Sequence, residues 1–83
     1  RELALFKIRA ETPDRQSQVI QLVEIFKGKI VSVQKNEFGI EIAGSADKID
    51  NFMKMVEEFG ILEMARSGRV AISRDSGEVQ VIG

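Results

Sequence analysis

Eighty-three residues leave room for one core, and a domain of that size withdraws only about 60–65% of its unfolded-chain surface from water, near the lower limit of independent stability. A hydrophobic share of 43% with 30% charged residues fits an ordered globular chain, and 12 Lys plus Arg against 13 Asp plus Glu gives no electrostatic pull towards nucleic acid or anionic membrane. Cys and His are both absent, which excludes disulfides and thiolate chemistry and removes the commonest general base and transition-metal ligand.

Residues 3–10 read as a strand, with Ala4, Phe6, Ile8 and Ala10 on one face and Leu3, Leu5, Lys7 and Arg9 on the other. Thr12 and Pro13 then announce a helix as N-cap and first helical residue, with Asp14 favourable to its dipole. Val19, Leu22, Val23 and Phe26 recur at helical spacing with Ile20 at the stripe's edge, and Gly28 is the expected helix stop. Residues 29–35 predict a short strand through Ile30, Val31 and Val33. Asn36 marks a turn, and residues 37–43 alternate with Phe38, Ile40 and Ile42 on one side. This is a hairpin, although Asn36-Glu37 is not the favoured turn chemistry.

Ser45 is the N-cap of a second helix, whose stripe is Ile49, Phe52, Met53, Val56 and Phe59, closed by Gly60. Residues 61–65 resume as a strand, which Arg66-Ser67-Gly68 interrupts either as an exposed turn or as a bulge. Residues 70–73 look extended, Asp75-Ser76-Gly77 is a turn, and Val79, Val81 and Ile82 predict a short terminal strand. The order is that of an α+β, ferredoxin-like (βαββαβ) sandwich: an antiparallel or mixed sheet with two helices on one face. Right-handed crossovers are expected to set the first and third strands side by side and parallel at the centre.

The uncovered face points to protein contacts. Leu3 and Leu5, with one side of residues 61–64, predict an apolar strip beside Lys7 and Arg9, and such strips on small domains commonly mark interfaces. The candidate interface is therefore Leu3, Leu5, Lys7 and Arg9, together with Arg66, Ser67 and Gly68. No catalytic, cofactor or metal residue is assigned, since six serines have no His to act with and Met53, Met55 and Met64 read as packing. Nucleic acid is excluded because the alternation buries Phe38 while Glu37 and Glu41 repel phosphate. No apolar run nears the roughly 20 residues of a spanning helix, so no membrane partner is expected. The first residue, Arg1, suggests a piece of a longer protein, and the compartment defaults to the cytosol.

Four segments carry a family resemblance. Arg1-Glu2-Leu3-Ala4-Leu5-Phe6-Lys7-Ile8 is similar to the opening of the C-terminal domain of acetolactate synthase small subunits, and the segment from Glu24 to Val33 to that family's "IFRG-x-IVDV". Gly44 with Lys48-Ile49-Asp50 and Phe52 matches "TG-x-x-x-KIDAF". The segment from Phe59 to Gly68 parallels "FGI-x-ELARTG", continued by Val70 to Arg74, after which Asp75 stands where the family usually has Gly. The resemblance implies one C-terminal ACT-like domain, 1–83, of a regulatory subunit without an active site. Its partner would be the large catalytic subunit, which holds thiamine diphosphate, magnesium and flavin and condenses pyruvate. Small subunits would pair as a homodimer in the cytoplasm, or in a plastid or mitochondrion of a eukaryote. The family's valine site lies on an N-terminal ACT domain, so no residue here is assigned to it. The alternative is a stand-alone amino-acid-binding ACT sensor or a dimerisation module. For the sensor, Pro13 is retained in the ligand loop, but Asp14 stands in the place of its Gly.

Overall fold

Alternation in two strands and 3.6-residue stripes in two helices leave one way to gather the apolar side chains, and the computed structural model adopts it. It describes residues 1–67 and, for their backbone, 79–82. The elements are β1 (Glu2–Arg9), α1 (Pro13–Ile25), β2 (Lys29–Gln34), β3 (Glu37–Gly44), α2 (Ala46–Val56) with a 3-10 turn over Glu57–Phe59, β4 (Ile61–Ser67) and β5 (Val79–Ile82). The sheet order is β2-β3-β1-β4-β5. This is the expected ferredoxin-like arrangement, with the terminal strand added at the edge.

One part of the expected topology is corrected. β1 and β3 are central neighbours, but they pair antiparallel, from Glu2 opposite Gly44 to Arg9 opposite Glu37. The crossover through α1 carries β2 beyond the adjacent position, and the β2–β3 hairpin then reverses the chain into the gap. β4 is also antiparallel to β1, whereas β5 is parallel to β4. The expected extended segment 70–73 and the turn 75–77 lie outside the described residues.

Ala4, Phe6 and Ile8 of β1 and Phe38, Ile40 and Ile42 of β3 are buried beneath Val19 and Val23 of α1 and Ile49, Phe52 and Val56 of α2. The ring of Phe52 sits at the centre, edge-on to Phe6 at 5.2 Å and to Phe26 at 5.3 Å, separations favourable for aromatic pairs. Both caps form as read: Thr12 Oγ1 accepts the Arg15 N–H and Ser45 Oγ accepts the Lys48 N–H, each at 3.1 Å. Each such cap contributes about 1 kcal/mol. Among the described residues, no helix is long and apolar enough to cross a membrane.

The helix stop expected at Gly28 is shared between two residues at the end of α1. Gly28 N–H donates to Val23 O at 2.8 Å and Lys27 N–H to Glu24 O at 3.1 Å, the paired bonds of a Schellman motif. The residue that adopts the left-handed conformation is Lys27, at φ 58°. Gly28 is needed for closeness instead, because a Cβ there would overlap Ile42 Cδ1 and stand 2.9 Å from Glu41 O. The hairpin turn is likewise Lys35-Asn36, with Asn36 at φ 68°, a conformation Asn tolerates better than most residues.

Opposite effects are expected from glycine exchange at the two neighbours. Lys27→Gly should stabilise the domain by about 0.5–1 kcal/mol by relieving the left-handed backbone, and Gly28→Ala should destabilise it by about 1–3 kcal/mol through overpacking. Urea unfolding of the two variants beside the parent chain measures both signs.

Candidate protein interface

Successive side chains of a strand point to opposite faces, so β1 turns Leu3, Leu5, Lys7 and Arg9 away from the helices. Register with β3 and β4 sets their neighbours. Leu3 lies beside Ala43, and its N–H donates to Ser67 Oγ at 2.8 Å. Leu5 lies between Glu41 and Ala65, Lys7 between Gly39 and Glu63, and Arg9 beside Glu37. The four predicted residues therefore do share one surface.

That surface has two halves. One is apolar, built from Leu3, Leu5, Ala43 and Ala65; Leu5 is 37% exposed and Leu3 half-buried. The other is charged. Lys7 Nζ stands 3.7 Å from Glu37 Oε1 and 3.5 Å from Glu63 Oε2, and Arg9 Nε is 3.5 Å from Glu11 Oε2. Ion pairs this exposed contribute about 0–1 kcal/mol each. They fix a charge pattern for a partner to read more than they hold the fold.

The strip is narrower than the sequence suggests. Ile61 and Met64 both pack against the core, because the register with β1 jumps from Lys7–Glu63 to Ile8–Ile61 and leaves Leu62 as an extra residue. That bulge allows two residues three apart to face inwards. β4 thus offers Ala65 and Glu63 to the open face.

Arg66 is the clearest correction. It is not in an exposed turn: β4 continues through Ser67, and Arg66 stands opposite Ala4 with 5% exposure. Its Nε donates to Glu2 Oε1 at 3.1 Å, Nη2 to Glu2 Oε2 at 3.4 Å, and Nη1 to Asp50 Oδ1 at 2.6 Å. Strand parity places it on the helix side, where a cation needs anions to be buried at all. Burial by itself lowers the guanidinium pKa, but the hydrogen bonds it donates to Asp50 and Glu2 outweigh that and hold Arg66 above its ordinary value. With the folded value raised, this contribution to stability is complete below the ordinary arginine pKa and is lost only as pH rises through the folded one. Ser67 is half-buried, its hydroxyl joining β4 to β1, and Gly68 lies outside the described residues.

Glu2 and Asp50 were not singled out from the sequence. The signal for Glu2 is its parity, since it shares the inward face of Ala4, Phe6 and Ile8 and is 8% exposed. At the opposite end of β1, Arg15 lies with its guanidinium carbon 4.9 Å from the centroid of the Phe59 ring. The segment compared with an amino-acid loop is thus occupied by a helix cap and a stacked cation.

Comparison with known proteins follows the same outline. A family model described as the small subunit of acetolactate synthase matches residues 1–75. The chain belongs to that family. It is similar to a probable acetolactate synthase small subunit of Methanothermobacter thermautotrophicus, with 41% identity over 76 residues covering 92% of this chain and 45% of that protein. It also resembles the acetolactate synthase small subunit of Aquifex aeolicus, 41% identical over 75 residues covering 90% and 39%. Among solved structures, the acetolactate synthase small subunit of Thermotoga maritima is 37% identical with a TM-score of 0.73, over 90% of this chain and 45% of that one. The chain spans less than half the length of these relatives.

Removing the buried cation should cost far more than removing an exposed one. Arg66→Ala, which removes a buried guanidinium from the Glu2 and Asp50 carboxylates, is expected to lose about 3–5 kcal/mol, and Lys7→Ala less than about 1 kcal/mol. Equilibrium denaturation of both variants gives the comparison.

Proposed function

We propose that this chain acts as a regulatory domain of acetolactate synthase in branched-chain amino-acid biosynthesis. In this reading it associates with the large catalytic subunit, raises its activity and takes part in end-product feedback. The observation that carries the reading is the small-subunit family match across residues 1–75, in register with a fold shared with a solved small subunit. Catalysis, with its thiamine diphosphate, magnesium and flavin, then belongs to the large subunit, and this chain supplies no cofactor ligand. The lack of His and Cys is consistent with that division. The complex would reside in the cytoplasm, or in a plastid or mitochondrion of a eukaryote.

Regulation at a distance requires contacts that differ between two states of the enzyme. The open sheet face supports such a role, because its apolar half adjoins a mixed-charge half that fixes orientation. We assign docking to this face, around Leu3, Leu5, Lys7 and Arg9, either against the large subunit or against a second small subunit. The family assignment favours this over a stand-alone amino-acid sensor.

Adding the natural small subunit to its large subunit should raise the rate of acetolactate formation several-fold. The same protein carrying Leu5→Arg should bind about tenfold more weakly, the cost of losing roughly 1.4 kcal/mol at an interface, with its unfolding midpoint nearly unchanged. An equal reaction rate with and without the subunit would reject the proposal.

A further inference from the structure

The open face leaves the most exposed apolar residues among the described side chains of the sheet unexplained. These lie on β2, an edge strand whose outer side has no partner among the described strands. Val33 sits opposite the buried Phe38 and on the same face, yet it is 68% exposed. Val31 falls where the β2–β3 register shifts between Ile30 and Ser32, and it is 55% exposed. Ile20, one step around α1 from the buried Val19, is 38% exposed, and Ile30 is only partly buried. The core therefore runs out to the rim of the sheet along β2 without being closed.

The charge carried by β2 and its immediate flanks is of one sign. Between Phe26 and Asn36 the chain carries Lys27, Lys29 and Lys35 and no carboxylate, and all three lysines are exposed. The nearest acidic residues in register, Glu41 opposite Lys29 and Glu37 opposite Gln34, lie one strand inwards. Lysines and bulges are common guards of an edge against indiscriminate pairing. Here Lys29 and Lys35 flank an uncharged centre, Val31-Ser32-Val33. Two copies paired antiparallel about Ser32 would bring lysine against lysine, whereas a segment with carboxylates at its ends would meet opposite charge. The same side chains that penalise self-pairing thus select an acidic partner.

We infer that the β2 edge receives an extended segment of the large subunit that alternates apolar residues and ends in carboxylates. Its backbone extends the sheet, its apolar side chains cover Val33, and its carboxylates meet Lys29 and Lys35. This deepens the regulatory reading and rests on it for the identity of the partner.

Amide hydrogen exchange of the natural small subunit, with and without the large subunit, tests the inference. The expected result is slowing of the outward-facing amides within residues 30–34 on complex formation. Lys27→Gln/Lys29→Gln/Lys35→Gln together should weaken association at least tenfold at low salt and flatten its salt dependence, and Val33→Glu should weaken it similarly. Association with unchanged exchange along β2 overturns the edge site while leaving the regulatory reading in place. No association, with no amide slowed anywhere, removes the regulatory reading and this occupant with it. Slowing that grows with the concentration of the small subunit alone makes the occupant a second copy and overturns the proposal.

Discussion

Everything in this domain is referred to the parity of β1. The strand lies between β3 and β4, hydrogen-bonded on both sides, so each of its side chains belongs either to the helix-covered core or to the open face. A slip of one residue would exchange the two sets. Ala4, Phe6 and Ile8 would leave the core, and Leu5 and Lys7 would enter it. The aromatic contact between Phe6 and Phe52 and the inward position of Glu2 both depend on the same register. The composition of the outer face is thus the complement of the core.

The two faces use charge differently. Inside, Arg66 is held by two carboxylates from separate elements, Glu2 of β1 and Asp50 of α2, and joins three parts of the fold at one end of the sheet. Outside, Lys7 stands between two carboxylates without being removed from solvent, which leaves it available to a partner. Similar residue types are therefore structural in one place and suited to recognition in the other, and burial decides which.

Short-range patterns were legible in the sequence because their physics is local. The alternation of β1 and β3, the caps at Thr12 and Ser45, and the stripes of both helices need no knowledge of distant residues. The burial of Arg66 is not legible locally, because Arg-Ser-Gly has the composition of a turn and the burial follows only from the register of β4 against a strand some sixty residues earlier. The bulge at Leu62, which turns both Ile61 and Met64 inwards, is hidden for the same reason. The direction of β3 relative to β1 needed the hairpin to be combined with the crossover. The exposure of Val33 at the edge of the sheet is set by tertiary placement, and no propensity of Val itself encodes it.

The Glu2–Arg66 contact has a bearing on the order of assembly. Its two ends are separated by 64 positions, and the first strand of this domain is the one that must finish in the middle. During synthesis β1 has no hydrogen-bonding neighbour until the hairpin strand emerges, and its other flank stays open until residue 67 is free of the ribosome. Loop-closure entropy over such spans slows folding. Nascent chains that end before β4 hold a half-built sheet, an interval exposed to aggregation and chaperone capture.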